Sequence, residues 1–226
     1  TRRPRPSTLP AEGQAGSLPE QGKQGRAERP AMRWTAPPPD AVEAVEDGET
    51  FTLDGGTTLR AVAAPGHTPG NLVAFVAATG DLYSGDTLLP RTIPTPGLHF
   101  PDGADGPRWP SLPRFIASVE RLRALGPRRV LPGHGEPVDD PERLFVRFER
   151  HQQRRQRRIR ALLATRSDSA YGLVRRLFPH LPDARVGQAM TETIGHLDAL
   201  VERGEATSEA NASGVLVFTL RVEEVG

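Results

Sequence analysis

The chain has 226 residues, a formal net charge of +1 and no cysteine. This length holds one or two domains with a real core, while the charge excludes a bulk polycation and the missing cysteines exclude disulfides, thiolate metal sites and cysteine nucleophiles. No stretch is apolar and long enough to cross a bilayer and no signal peptide is visible, so a cytoplasmic location without a membrane partner is the default expectation.

Residues 1–38 are dense in Pro, Gly, Gln, Ser and Arg and lack a sustained period. Such a segment buries too little apolar surface to offset its ordering entropy, which predicts a disordered leader. The texture changes near Ala41. Glu49–Leu53 and Thr57–Val62 flank Asp54-Gly55-Gly56, the pattern of a hairpin. Asn71–Ala77 is continuously apolar, as in a strand covered on both faces, and Thr79-Gly80-Asp81 turns into Leu82-Tyr83-Ser84. A Pro- and Gly-rich loop then occupies residues 90–113 and contains His99 and Trp109.

A helix is expected over about Leu112–Leu125, with Phe115, Ile116, Val119, Leu122 and Leu125 on one stripe and Gly126-Pro127 as its stop. Arg128–Leu131 is a short strand. Asp139-Asp140-Pro141-Glu142 starts a second helix that runs to about Ala164. Its stripe of Leu144, Phe148, Ile159 and Leu162 is interrupted by His151, Gln152 and Arg155, which predicts a wet cavity or a domain interface. Helices over about 169–177 and 184–202 and a terminal hairpin ending in Val215–Leu220 complete the chain. The expected organisation is a leader over 1–38, an α/β domain over 39–150 and a small α+β domain over 151–226.

Three short motifs carry the chemistry. Pro65-Gly66-His67-Thr68-Pro69-Gly70, Tyr83-Ser84-Gly85-Asp86-Thr87 and Val130-Leu131-Pro132-Gly133-His134-Gly135 each place a polar side chain in a Gly-rich loop just after a β-like run. Imidazole and carboxylate suit zinc or a similar divalent ion, and loops at strand ends can gather ligands distant in sequence. Alone, each motif is equally a surface turn or a helix cap; the constellation favours a metal site. His99 is either a loop residue or a substrate contact. His151 and Arg155 either line the site or belong to a solvated helix face. His180 and His196 read as structural. Arg154, Arg155, Arg157, Arg158 and Arg160 are either a solvated face or phosphate contacts.

The three motifs resemble the third, fourth and fifth metal motifs of the metallo-β-lactamase-fold hydrolase superfamily. The Arg-rich helix with Ile194–Leu200 is similar to the β-lactamase-like protein 2 branch, which appends a winged-helix-like domain. The resemblance implies the C-terminal half of an αββα sandwich followed by that small domain. It implies His67 and His134 as metal-binding imidazoles, Asp86 as the shared carboxylate, one or two zinc ions, and a metal-activated water attacking an ester, thioester or phosphodiester in a small molecule or RNA. The family's first motif, His-x-His-x-Asp-His, has no counterpart, since no histidine precedes His67. The expectation is therefore a truncated or frame-shifted chain with weakened metal affinity. Two other readings stay open: a non-catalytic nucleic-acid-binding module, and an inactive remnant.

Overall fold

The computed structural model describes residues 43–103 and 106–221. The expected leader over residues 1–38 lies outside the described residues. From Ala44 onward the chain forms one compact unit.

A five-stranded sheet holds β1 (Thr50–Thr52), β2 (Thr58–Ala63), β3 (Leu72–Val76), β4 (Asp81–Gly85) and β5 (Arg129–Pro132), in that spatial order. The first four pair antiparallel through short turns, whereas β5 joins β4 in parallel. A parallel pair needs a crossover, and α1 (Ser111–Ala124) supplies it. Strand alternation puts Val62, Val73, Phe75, Leu82 and Val130 on one face. That face meets Leu112, Phe115, Val119 and Leu122 of α1, together with Leu144, Phe145 and Phe148 of α2 (Glu142–Thr165). Phe115 and Phe148 lie 5.1 Å apart in a tilted pair. Each fully buried Leu or Phe contributes roughly 1.5–3 kcal/mol relative to an exposed one. The alternate face of β3 is only partly covered, with Leu72 about half exposed, so the continuous apolar run is two-sided in composition but not in burial.

The C-terminal part contains β6 (Asp168–Ser169), α3 (Ala170–Leu177), α4 (Val186–Glu202), β7 (Ala206–Ala210) and β8 (Leu216–Leu220). Its three strands pair antiparallel in the order β6-β8-β7. Ser169 caps α3 by accepting from the Gly172 N–H. Ile159 and Leu163 of α2 join Leu173, Leu177, Leu197, Leu200 and Phe218 in a second core. One continuous helix, α2, thus contributes its first half to one core and its second half to the other. Among the described residues no helix is long and apolar enough to cross a membrane.

Candidate metal centre

The three motif loops leave the same end of the sheet. His67 follows β2, Asp86 follows β4, and His134 follows β5. Adjacent parallel strands bring their C-terminal loops together, and the close approach of β4 and β5 does so here. The Gly133 N–H donates to the Gly85 carbonyl at 2.8 Å. The fit is tight for anything larger than glycine at position 133, because a Cβ would stand 2.9 Å from Asp86 Oδ1 and 3.1 Å from the Gly85 carbonyl carbon. His134 Nε2 then lies 3.5 Å from Asp86 Oδ1, with side-chain exposures of 77% and 37%.

His67 sits on a loop pressed against α1. A Cβ on Gly66 would lie 2.3 Å from Phe115 Cβ, and Gly66 has φ +152°, so the turn tolerates no side chain. Ser118 of α1 donates to the Pro65 carbonyl at 2.8 Å. His67 Nδ1 is 2.8 Å from the Thr95 carbonyl. A carbonyl only accepts, so Nδ1 carries the proton and Nε2 keeps its lone pair, the arrangement typical of a metal-ligating histidine. His99 donates from Nε2 to the His67 carbonyl at 3.3 Å and stands edge-on to Trp109. His99 therefore braces the His67 loop. Thr68 donates to Asn71, whose amide reaches Thr87 at 3.4 Å, tying the His67 loop to the Asp86 loop. Thr95, Asn71 and Ser118 carried no motif in the sequence; only the folded loops reveal them.

His151 and Arg155 lie where α2 passes from the first core to the second. Both point to Glu192 of α4, each 2.8 Å from its Oε1, and Arg155 also stacks on Phe178. Burial alone pushes the Glu192 carboxyl up, but the hydrogen bonds from His151 and Arg155 outweigh it and hold the group at about 2. Next along α4, burial pulls His196 down to about 3, and neither of its ring nitrogens has a protein partner among the described residues. Of the arginine run, Arg155 is tied to Glu192, Arg160 to Glu205 and Arg158 to the Leu177 carbonyl, at 3.1 Å in the last case.

The model of the metallo-beta-lactamase superfamily matches residues 3–134, and that of the metallo-beta-lactamase-like C-terminal domain matches residues 157–221. The chain belongs to the metallo-beta-lactamase superfamily. It is 30% identical over 173 residues to the probable metallo-hydrolase YqjP of Bacillus subtilis (strain 168), covering 76% of this chain and 54% of that protein. It is 24% identical over 186 residues to a beta-lactamase-like protein 2 homolog of Drosophila melanogaster, covering 81% and 59%. Its fold matches the crystal structure of a beta-lactamase domain protein from Burkholderia ambifaria with a TM-score of 0.74 and 27% identity, covering 82% of this chain and 54% of that one. The chain thus spans about half the length of the relatives it matches.

The superfamily implies a divalent metal, and the donor set can be tested for fit. Ligand atoms at about 2.0–2.1 Å from a tetrahedral zinc stand roughly 3.3 Å apart. The Asp86–His134 separation of 3.5 Å matches two ligands sharing one ion. The donor types and the His67 tautomer fit as well. The number does not complete a site: among the described residues, no group of three or more His, Asp or Glu side chains lies close enough to hold an ion. The structure brings Asp86 and His134 together and leaves His67 outside that pair.

Proposed function

We propose that this chain supplies Asp86 and His134 as the paired ligands, and His67 as a further one that a bound ion would have to draw in, to the metal centre of a hydrolase acting on an ester, thioester or phosphodiester. The observation that carries the reading is the Asp86–His134 pair at the mouth of two parallel strands. It is exposed, its loops are held by a glycine contact, and neither side chain has a further hydrogen-bond partner among the described residues. Zinc fits this nitrogen and oxygen set, and when bound it would lower the pKa of a water to near neutrality. Positioning falls to the chain's own residues. Asp86 and His134 place Oδ1 and Nε2 3.5 Å apart, Thr95 fixes the His67 tautomer, and His99 with Asn71 braces the loops. The similarity to a probable metallo-hydrolase supports the same reading.

The test is zinc analysis of the purified chain together with a phosphodiesterase and thioesterase screen. Hydrolysis that needs zinc and disappears in Asp86→Ala is expected. No bound zinc and no hydrolysis would reject the reading for this chain.

A further inference from the structure

A second polar concavity lies between α2 and the segment after Asp86. It is a cavity of about 420 Å³ lined by Arg91, Arg143, Arg147, Arg150 and Arg154, with His151 at one end and Ile93 and Val146 as its apolar floor. No carboxylate lines it. The helix positions 143, 147, 150 and 154 follow the spacing that keeps side chains on one face, so the sequence sets like charges at i and i+4 twice over. Such pairs repel, and a bound anion would offset the repulsion.

Elsewhere many arginines are paired, and those without an ion pair among the described residues, such as Arg60, Arg114 and Arg185, do not line this cavity. Arg108 pairs with Asp198, Arg123 with Glu142, Arg129 with Asp81 and Arg160 with Glu205. Arg91, Arg143, Arg150 and Arg154 make no ion pair among the described residues. Arg147 is spent on structure. It donates to the carbonyls of Leu89, Pro90 and Thr92, the last at 3.0 Å, and so fixes the loop that forms the opposite wall. Its Nε stays buried with no protein partner.

We propose that this groove binds the pyrophosphate group of a small ligand, such as a nucleoside diphosphate. Guanidinium groups match phosphate oxygens in a bidentate fork, and several unpaired ones on a concave surface suit a ligand with two or three negative charges. The cavity has the size of a small-molecule site, with an apolar floor for the rest of the ligand. A nucleic-acid strand would need the positive track to continue. Past Arg154 the same face continues only as far as Arg157, because Arg155, Arg158 and Arg160 are already engaged, so the track is short for a strand. The inference stands apart from the hydrolase reading, since it uses none of His67, Asp86 or His134.

The experiment is calorimetric titration of the full chain with inorganic pyrophosphate and with ADP. Saturable binding is expected for both, weakened roughly tenfold or more in Arg143→Ala/Arg150→Ala and partly restored in Arg143→Lys/Arg150→Lys. An exposed pair away from the groove, Arg114→Ala/Arg185→Ala, should bind like the parent. Both sites of the test pair are on the helix surface, and an unchanged thermal melt will show that folding is intact. The proposal is overturned if neither probe saturates at millimolar concentration. It is also overturned if the control pair loses as much affinity as the test pair, or if a single-stranded oligonucleotide displaces both probes and binds the test pair undiminished.

Discussion

The loop cluster around Asp86 and the α2–α4 junction around Glu192 use the same residue types in opposite ways. At the junction, a carboxylate, an imidazole and a guanidinium are mostly buried and satisfy one another. At the loops, a carboxylate and an imidazole stand 3.5 Å apart and open to solvent, on loops joined by the Gly133–Gly85 backbone contact. Buried polar groups that are fully paired specify a packing arrangement; exposed ones that are positioned with no partner beyond each other are available for a ligand. The difference separates structure from chemistry better than residue identity does.

The largest effect should come from the support of the loops. Gly66→Ala forces a methyl group into the Phe115 backbone at a positive φ, and it should destabilise the fold by about 3 kcal/mol or more in urea titrations. An effect near zero would mean that the loop is not pressed on α1. Glu192→Ala should be next. It strands Arg155 and His151 in a mostly buried site and should cost about 2–3 kcal/mol, below the usual range for a fully buried pair because these side chains keep some solvent contact. By comparison, Arg121→Ala breaks an exposed pair with Asp47 and should cost about 0.5 kcal/mol or less.

The junction also sets the acid limb. His196 is held neutral, so the unfolded chain takes up its proton first as pH falls below 6.5, and stability declines towards pH 3. Glu192 is held ionised, so a further loss follows as pH falls from 4.5 towards 2. His196→Leu removes two buried ring nitrogens without protein partners. It should leave neutral-pH stability nearly unchanged or slightly higher, and flatten the decline between pH 6.5 and pH 4.5. A limb that keeps its shape would detach His196 from it. The smallest effect is expected at the loops themselves: Asp86→Ala should change the melting temperature by no more than about a degree or two, as a surface substitution does.

Local features were legible in the sequence. Asp54-Gly55-Gly56 announced the β1–β2 hairpin, the Phe115–Val119–Leu122 stripe announced α1, and the three Gly-rich motifs marked His67, Asp86 and His134. Each is written within a few residues. The interruption of the α2 stripe at His151 and Arg155 was also visible, but its partner was not, because Glu192 is about forty positions away and only the packing of α4 brings it close. Thr95 behind His67, and Arg147 across the Leu89–Thr92 loop, are invisible for the same reason. Asp139-Asp140 looked like a side-chain cap for α2, yet the helix starts at Glu142 after Pro141 with no side-chain cap bond. Proline at the start already removes one unsatisfied donor, so the cap is less needed.

Whether Asp86 and His134 share an ion is best decided by cobalt titration of the full chain, followed by absorption spectroscopy, alongside Asp86→Ala and His134→Ala under conditions where all three melt alike. The parent chain should bind the ion weakly, and both variants should lose it. Binding that is unchanged in either variant, or no binding by the parent chain, would contradict the assignment.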